Sequence, residues 1–174
     1  MITDKNIILV GPYGAGKTTI GKLVAQGLGR EFIDSDQYIV NRLGVSKELI
    51  FEIEGEEGFR QYEINALKEL TKQKNILLST GGGSVLKPEN RALFKKSGLV
   101  IYLEVSIAQQ MDRTRSDDAK RPLLRAHDRK KRLEELQEQR QAFYAEIAEL
   151  RFNTDERPPK AVAKDIIRKL ESLK

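Results

Sequence analysis

The sequence contains no cysteine. Disulfides, thiolate zinc sites and a cysteine nucleophile are therefore excluded. It has a single histidine, His127, set in a basic run, and no role is assigned to it. No apolar stretch reaches the roughly 18 residues a membrane-spanning helix needs. The first residues lack the charged and then long apolar regions of a secretory signal, so a cytoplasmic protein without a membrane anchor is expected. No repeat, low-complexity tract or long linker divides the chain, and its 174 residues suit one domain with one sizeable core, 1–174. Aromatic residues do not interleave with the lysines and arginines of Lys120 to Arg132. A stacking platform for nucleic acid is therefore not expected, and the net charge of +5 suits a small anionic ligand as well as it suits a polyanion.

What is present is an alternation. Short apolar runs at Ile7–Val10, Ile76–Leu78 and Leu99–Val105 read as strands, with a short second strand at Glu31–Asp34 and a candidate last strand at Arg151–Thr154. Helical periodicity fills the intervals: after the glycine loop to Leu28, in two brief pieces at Gln37–Leu43 and Lys47–Ile53, and from Glu57 to Lys72. It returns from Pro88 to Lys96, Ile107 to Arg115, Arg129 to Glu149, and beyond Pro158-Pro159 to Leu173. Continuous apolar strands separated by helices predict a parallel sheet covered on both faces, a doubly wound α/β fold. Ligands of such sheets bind at the carboxyl ends of the strands.

The stretch GPYGAGKTT, Gly11 to Thr19, follows the first strand and opens the first long helix. Gly11-x-x-x-x-Gly16-Lys17-Thr18 is the P-loop pattern in its proper context. The glycines let backbone N–H groups converge on an anion, and the helix adds its positive end. Gly14, Ala15, Gly16, Lys17, Thr18 and Thr19 are the candidate nucleotide-phosphate residues, with ATP as the expected nucleotide. Lys17 is a point charge for the outer phosphates, and the Thr18 hydroxyl is an oxygen ligand for Mg²⁺.

Five further groups suggest what the phosphoryl meets. Asp34-Ser35-Asp36 ends the second strand, and residues two apart on a strand project to one side. Two carboxylates there suit a metal and a reacting hydroxyl, or alternatively a strand end and a helix cap. Arg60 with Glu63 has the spacing of a helical ion pair, and a guanidinium so held can grip a substrate carboxylate. Thr80-Gly81-Gly82-Gly83 offers more glycine than a turn requires, which permits close approach of a ligand to the backbone. Arg121-Pro122-Leu123-Leu124 follows an aperiodic polar segment and reads as the cationic tip of a mobile lid, about 114–126. Arg140 lies on the long helix with Tyr144 one turn on.

In order and spacing these motifs resemble the shikimate kinase family over nearly the whole chain. The resemblance implies a nucleoside-monophosphate-kinase-like three-layer sandwich with five parallel strands in the order 2-3-1-4-5. It implies transfer of the γ-phosphoryl of ATP to the 3-hydroxyl of shikimate, on the route to chorismate and the aromatic amino acids. By position, Thr18 and Asp34 would serve Mg²⁺, Asp34 directly or through water. Asp36 would bond the shikimate hydroxyls as candidate base, and Arg60 and Arg140 would clamp the carboxylate. Gly81, Gly82 and Gly83 would line the pocket, with the substrate region at about 34–62. Lys17 and Arg121 would sit on the transferring phosphoryl as catalytic residues, and Arg113 or Arg115, with the Arg157 loop, would face adenine.

The segment Gln141-Ala142-Phe143 after Arg140 departs from the family's usual proline and leucine before the tyrosine. A monomer acting on shikimate and ATP is expected. The rival reading is another small-molecule P-loop kinase, such as a gluconate kinase, which would share the P-loop and lid but lack the paired arginines and the TGGG strand end. A nucleotide-binding regulator without catalysis should have lost Lys17, Asp36 or Arg121, and all three are present.

Overall fold

The computed structural model describes residues 4–115 and 128–174. Five strands form one parallel sheet: β1 Asn6–Val10, β2 Glu31–Asp34, β3 Ile76–Ser79, β4 Gly98–Glu104 and β5 Leu150–Asn153. Their order is β2-β3-β1-β4-β5, so the chain runs from β1 to the edge strand β2, returns to β3 beside β1, and then crosses to β4 and β5 on the other side. The registers are parallel throughout, with Ile8 opposite Leu78 on one side and Val100 on the other. Among the described residues the helices are α1 Lys17–Leu28, α2 Ser35–Leu43, α3 Lys47–Leu70, α4 Pro88–Ser97, α5 Ile107–Arg113, α6 Arg129–Ile147 and α7 Pro159–Ser172. None is long and apolar enough to cross a membrane.

The central strands β1, β3 and β4 are apolar at most positions because both faces are covered, whereas the edge strands β2 and β5 carry Glu31, Asp34, Arg151 and Asn153. Successive side chains leave a strand on opposite sides. Ile7 and Leu9 of β1 therefore pack with Leu77, Ile101 and Leu103 against Val24 of α1 and Val162 and Ile166 of α7. Ile8 and Val10 point the other way, with Leu78, Val100 and Tyr102, against Leu67 and Leu70 of α3, Phe94 of α4 and Tyr144 and Ile147 of α6. Each fully buried side chain of this size is worth about 2 kcal/mol. The two layers together fix the strand ends on which the site is built.

Two details differ from the sequence reading. The brief helix at Lys47 and the one expected from Glu57 are joined into α3, bent at Gly55, whose φ of 71° and ψ of 178° lie outside the helical region. The periodic positions of α3 also divide: Leu67 and Leu70 face the sheet, whereas Phe59 and Ala66 form a separate small cluster with Ile39 of α2 and Ile50. The second half of α3 is thus anchored to the sheet, and the first half is carried with α2 above the strand ends.

Candidate active site

The carboxyl ends of β1, β2 and β3 converge. Thr80 ties two of them together, its N–H and its hydroxyl both donating to the Leu9 carbonyl at 3.2 and 2.8 Å. From β1 the chain enters the glycine loop, where Gly11, Gly14 and Gly16 have φ of 150°, 82° and 90°. Only glycine adopts such angles without strain. α1 then begins at Lys17 with no side-chain cap on its first N–H groups. An uncapped helix start at the end of a glycine loop is the arrangement in which a helix N-terminus receives an anion. The Lys17 ammonium crosses the loop mouth, donating to the carbonyls of Gly11 at 2.7 Å and Pro12 at 2.9 Å. The Thr18 hydroxyl donates to Asp34 Oδ2 at 3.2 Å, which sets two hard oxygen donors side by side.

The geometry of Asp34 and Asp36 is not that of two residues on one strand. β2 ends at Asp34, whose other oxygen caps α2 by accepting from the Gln37 N–H at 3.0 Å. Asp36 is already in the first turn of that helix. The two carboxylates still separate in role, but through the strand-to-helix turn rather than the pleat. Asp36 Oδ2 accepts from the Lys47 ammonium at 2.9 Å. Among the described residues its Oδ1 is buried without a hydrogen-bond partner.

The three glycines form the floor on which the remaining groups meet. A Cβ on Gly81 would stand 2.7 Å from Asp36 Oδ1, and one on Gly83 would overlap the Arg60 guanidinium. A Cβ on Gly82 would lie 3.5 Å from Arg140 Nη1 and 3.6 Å from the Tyr13 nitrogen of the P-loop. One short backbone run therefore touches the acid, both arginines and the phosphate loop. The Tyr144 hydroxyl donates to the Gly82 carbonyl at 2.6 Å, and Arg140 interacts electrostatically with the same tyrosine.

Burial governs the charges here. Arg60 donates to Glu63 at 2.9 Å and to Glu56 at 3.3 Å. Burial pushes the Glu63 carboxyl up to about 7, with Arg60 opposing the rise and Asp36 adding to it. Burial also pushes the Tyr144 phenol up to about 12. Arg140 is moved down by desolvation, with Arg60 as a second cation nearby, while Tyr144 opposes the shift. Two largely buried guanidiniums against an uncharged backbone floor have the chemistry to receive a small carboxylate.

On the other side of the P-loop, Arg113 donates to the Gly14 carbonyl and to the Thr154 hydroxyl, both at 3.0 Å, and to the Thr154 carbonyl at 2.5 Å. Arg115 instead pairs with Asp112 at the surface, so of the two it is Arg113 that reaches the phosphate loop. Arg157 is half-exposed and paired with Asp165 at 2.6 Å. Near it, Pro158 and Pro159 line a cleft of about 550 Å³ with Thr18, Thr19 and Leu23. Arg121, most of the lid and His127 lie outside the described residues.

Two side chains of this site escaped the sequence reading. Lys47 carries no motif, and an N-terminal helix lysine is ordinarily solvent-facing. Gln110, buried in α5, donates to the Tyr13 carbonyl at 2.7 Å and braces the P-loop from 97 residues away. Only its place on the inward face of a helix could have signalled it.

A P-loop on a 2-3-1-4-5 sheet, with an acid and two arginines gathered beside it, defines a P-loop kinase of small molecules. The family model described as "Shikimate kinase" matches residues 13–171. The chain is 51% identical over 170 residues to shikimate kinase of Legionella pneumophila, covering 98% of this chain and 97% of that one. It is 47% identical to shikimate kinase of Actinobacillus pleuropneumoniae, with 99% of each chain covered. The structure of shikimate kinase from Acinetobacter baumannii in complex with shikimate superposes with a TM-score of 0.93, at 41% identity over 98% of this chain and 94% of that one. The chain belongs to the shikimate kinase family.

Proposed function

We propose that this chain transfers the γ-phosphoryl of ATP to the 3-hydroxyl of shikimate, releasing ADP and shikimate 3-phosphate on the route to chorismate. The observation that carries the reading is the glycine floor, against which Asp36, Arg60, Arg140 and the P-loop all lie. Arg60 and Arg140 hold the shikimate carboxylate. That contact is remote from the reacting oxygen and is used to position the hydroxyl. Asp36 Oδ1 accepts the hydroxyl proton. The shikimate oxygen bonds to the γ-phosphorus as the bond from that phosphorus to the β–γ bridging oxygen breaks, and the electron pair leaves with ADP. The P-loop amides and Lys17 receive the phosphate oxygens, and Arg121 adds a further positive charge.

Thr18 and Asp34 would hold Mg²⁺, which neutralises charge on the phosphates when bound. Their oxygens lie 3.2 Å apart and suit a hard cation. Among the described residues no group of three His, Cys, Asp or Glu forms a self-sufficient metal site. A Mg²⁺ ion that keeps phosphate and water ligands needs none. The chain is taken to act as a monomer, and a cytoplasmic location accords with a biosynthetic role.

The test is ADP release with MgATP and shikimate, beside gluconate and a no-acceptor control. Turnover that needs both shikimate and Mg²⁺ is the expected result. ADP formed with gluconate and not with shikimate would keep the fold and overturn the substrate.

A further inference from the structure

The strongest feature left unused by that reading is Lys47. It is the first residue of α3, directly after the N-cap Ser46. A cation there lies at the positive end of the helix, where it is disfavoured. What offsets this is not solvent. The ammonium is 2.9 Å from Asp36 Oδ2, 4.9 Å from the centre of the Phe59 ring and 5.8 Å from that of Phe51. Only about a quarter of either side chain in the Lys47–Asp36 pair is exposed, so the contact is partly shielded from water. Phe59 is itself fully buried and stacked on Phe51 at 4.9 Å, which gives the ammonium a rigid aromatic seat. The pair also joins α2 to α3, which meet besides through the small cluster of Ile39, Ile50, Phe59 and Ala66 and the surface pair Arg42–Glu69.

The consequence lies in how the Asp36 carboxylate is divided. Lys47 takes Oδ2. Oδ1 is left buried, without a hydrogen-bond partner among the described residues, and turned to the Gly81 floor where the arginines also meet. A carboxylate free to rotate about its terminal torsion would present either oxygen. One held by an ammonium on a fixed seat presents a single oxygen to the pocket. The charged groups around the pair are Glu63, which feels both Asp36 and Lys47, and Arg60, paired to Glu63 and Glu56. Lys47 is thus the cation assigned to Asp36, as Arg60 is to Glu63.

We propose that Lys47 is a positioning residue for phosphoryl transfer, which holds Asp36 through Oδ2 so that Oδ1 meets the acceptor hydroxyl. The proposal rests on the function inferred above, and the test separates the two. Shikimate-dependent ADP release by the wild-type chain is established first, and its absence would overturn the functional reading itself. Then Lys47→Met, which keeps the stem against Phe59 and removes the charge, is compared with Lys47→Arg and Lys47→Gln by steady-state kinetics and thermal melting. The expected result is a kcat about tenfold lower in Lys47→Met and Lys47→Gln, the scale of one lost charge-assisted hydrogen bond. KM for MgATP should be unchanged, and Lys47→Arg should recover most of kcat.

A residue that merely attracted anionic shikimate would raise KM and leave kcat alone, and that outcome overturns the proposal. So does a kcat in both uncharged variants within about twofold of wild type, less than one charge-assisted bond supplies. A loss that Lys47→Arg fails to restore would mark a packing role and overturns it as well. If Lys47→Met melts too early to assay, Lys47→Gln against Lys47→Arg carries the comparison.

Discussion

Gly83 lies directly against the guanidinium of Arg60, so closely that a Cβ at Gly83 would overlap Nη2. The backbone there has φ of −91° and ψ of 0°, which alanine adopts without strain. Gly83→Ala should therefore leave the turn intact and displace Arg60, the far end of a flexible side chain. The expected outcome is a rise of about tenfold or more in KM for shikimate, the scale of one bidentate carboxylate contact. KM for MgATP should be unaltered and the melting temperature nearly so. A variant that instead lost ATP affinity would place the floor in the nucleotide site.

The partner of Arg60 sets a pH dependence. Glu63 is raised from 4.5 to about 7 in the folded chain, chiefly by burial. The native state therefore holds a proton that the unfolded state releases at lower pH. The stability this contributes is present below the unfolded value and is lost as pH rises through about 7. Wild type should lose melting temperature relative to Glu63→Gln between about pH 5 and about pH 8. The same proton bears on binding. An ionised Glu63 repels an incoming carboxylate and neutralises Arg60, so KM for shikimate should climb across this range in wild type and stay flatter in Glu63→Gln. Equal pH profiles for the two proteins would remove Glu63 from the binding equilibrium.

Tyr144 links α6 to the floor. Its hydroxyl donates to the Gly82 carbonyl at 2.6 Å, and Arg140 interacts electrostatically with the same tyrosine. Tyr144→Phe keeps the ring stacked on Tyr102, whose centroid is 5.2 Å away, and deletes only the polar link. The orphaned carbonyl should cost about 1–3 kcal/mol of stability. KM for shikimate should rise a few-fold as Arg140 loses its brace. Chemical denaturation alongside kinetics checks both at once, and a stability loss without any change in KM would detach Tyr144 from substrate binding.

The sheet was readable because its central strands are nearly continuous apolar runs, and the P-loop because glycine, lysine and threonine sit between a strand and a helix. The bend in α3 was half readable: periodicity stops and restarts around Gly55, but one helix with a non-helical residue looks like two helices in sequence. Asp34 and Asp36 were found by type and misplaced by geometry, because a strand can yield to a helix at Asp34 with no glycine or proline to announce it. Arg113 and Arg115 could not be separated by spacing, since only the fold brings Gly14 and Thr154 to one of them. Lys47 was invisible. What makes it part of the site is Asp36, 11 residues away on another helix, and the ring of Phe59, both set by tertiary packing.

Asp34 performs two tasks with its two oxygens, and a conservative substitution separates them. Oδ1 caps α2 through the Gln37 N–H, and Oδ2 faces the Thr18 hydroxyl. Asparagine caps a helix about as well as aspartate, whereas alanine forfeits about 1 kcal/mol. Asp34→Asn should therefore melt within a degree or two of wild type, on the scale of a few tenths of a kcal/mol. It removes the negative charge that a divalent cation would feel. At saturating ATP and shikimate, the Mg²⁺ concentration for half-maximal rate should rise about tenfold, with lower turnover at limiting Mg²⁺. Asp34→Ala should show the same kinetic defect and a lower melting temperature besides. A Mg²⁺ titration of Asp34→Asn that overlays wild type would leave Asp34 a helix cap and nothing more.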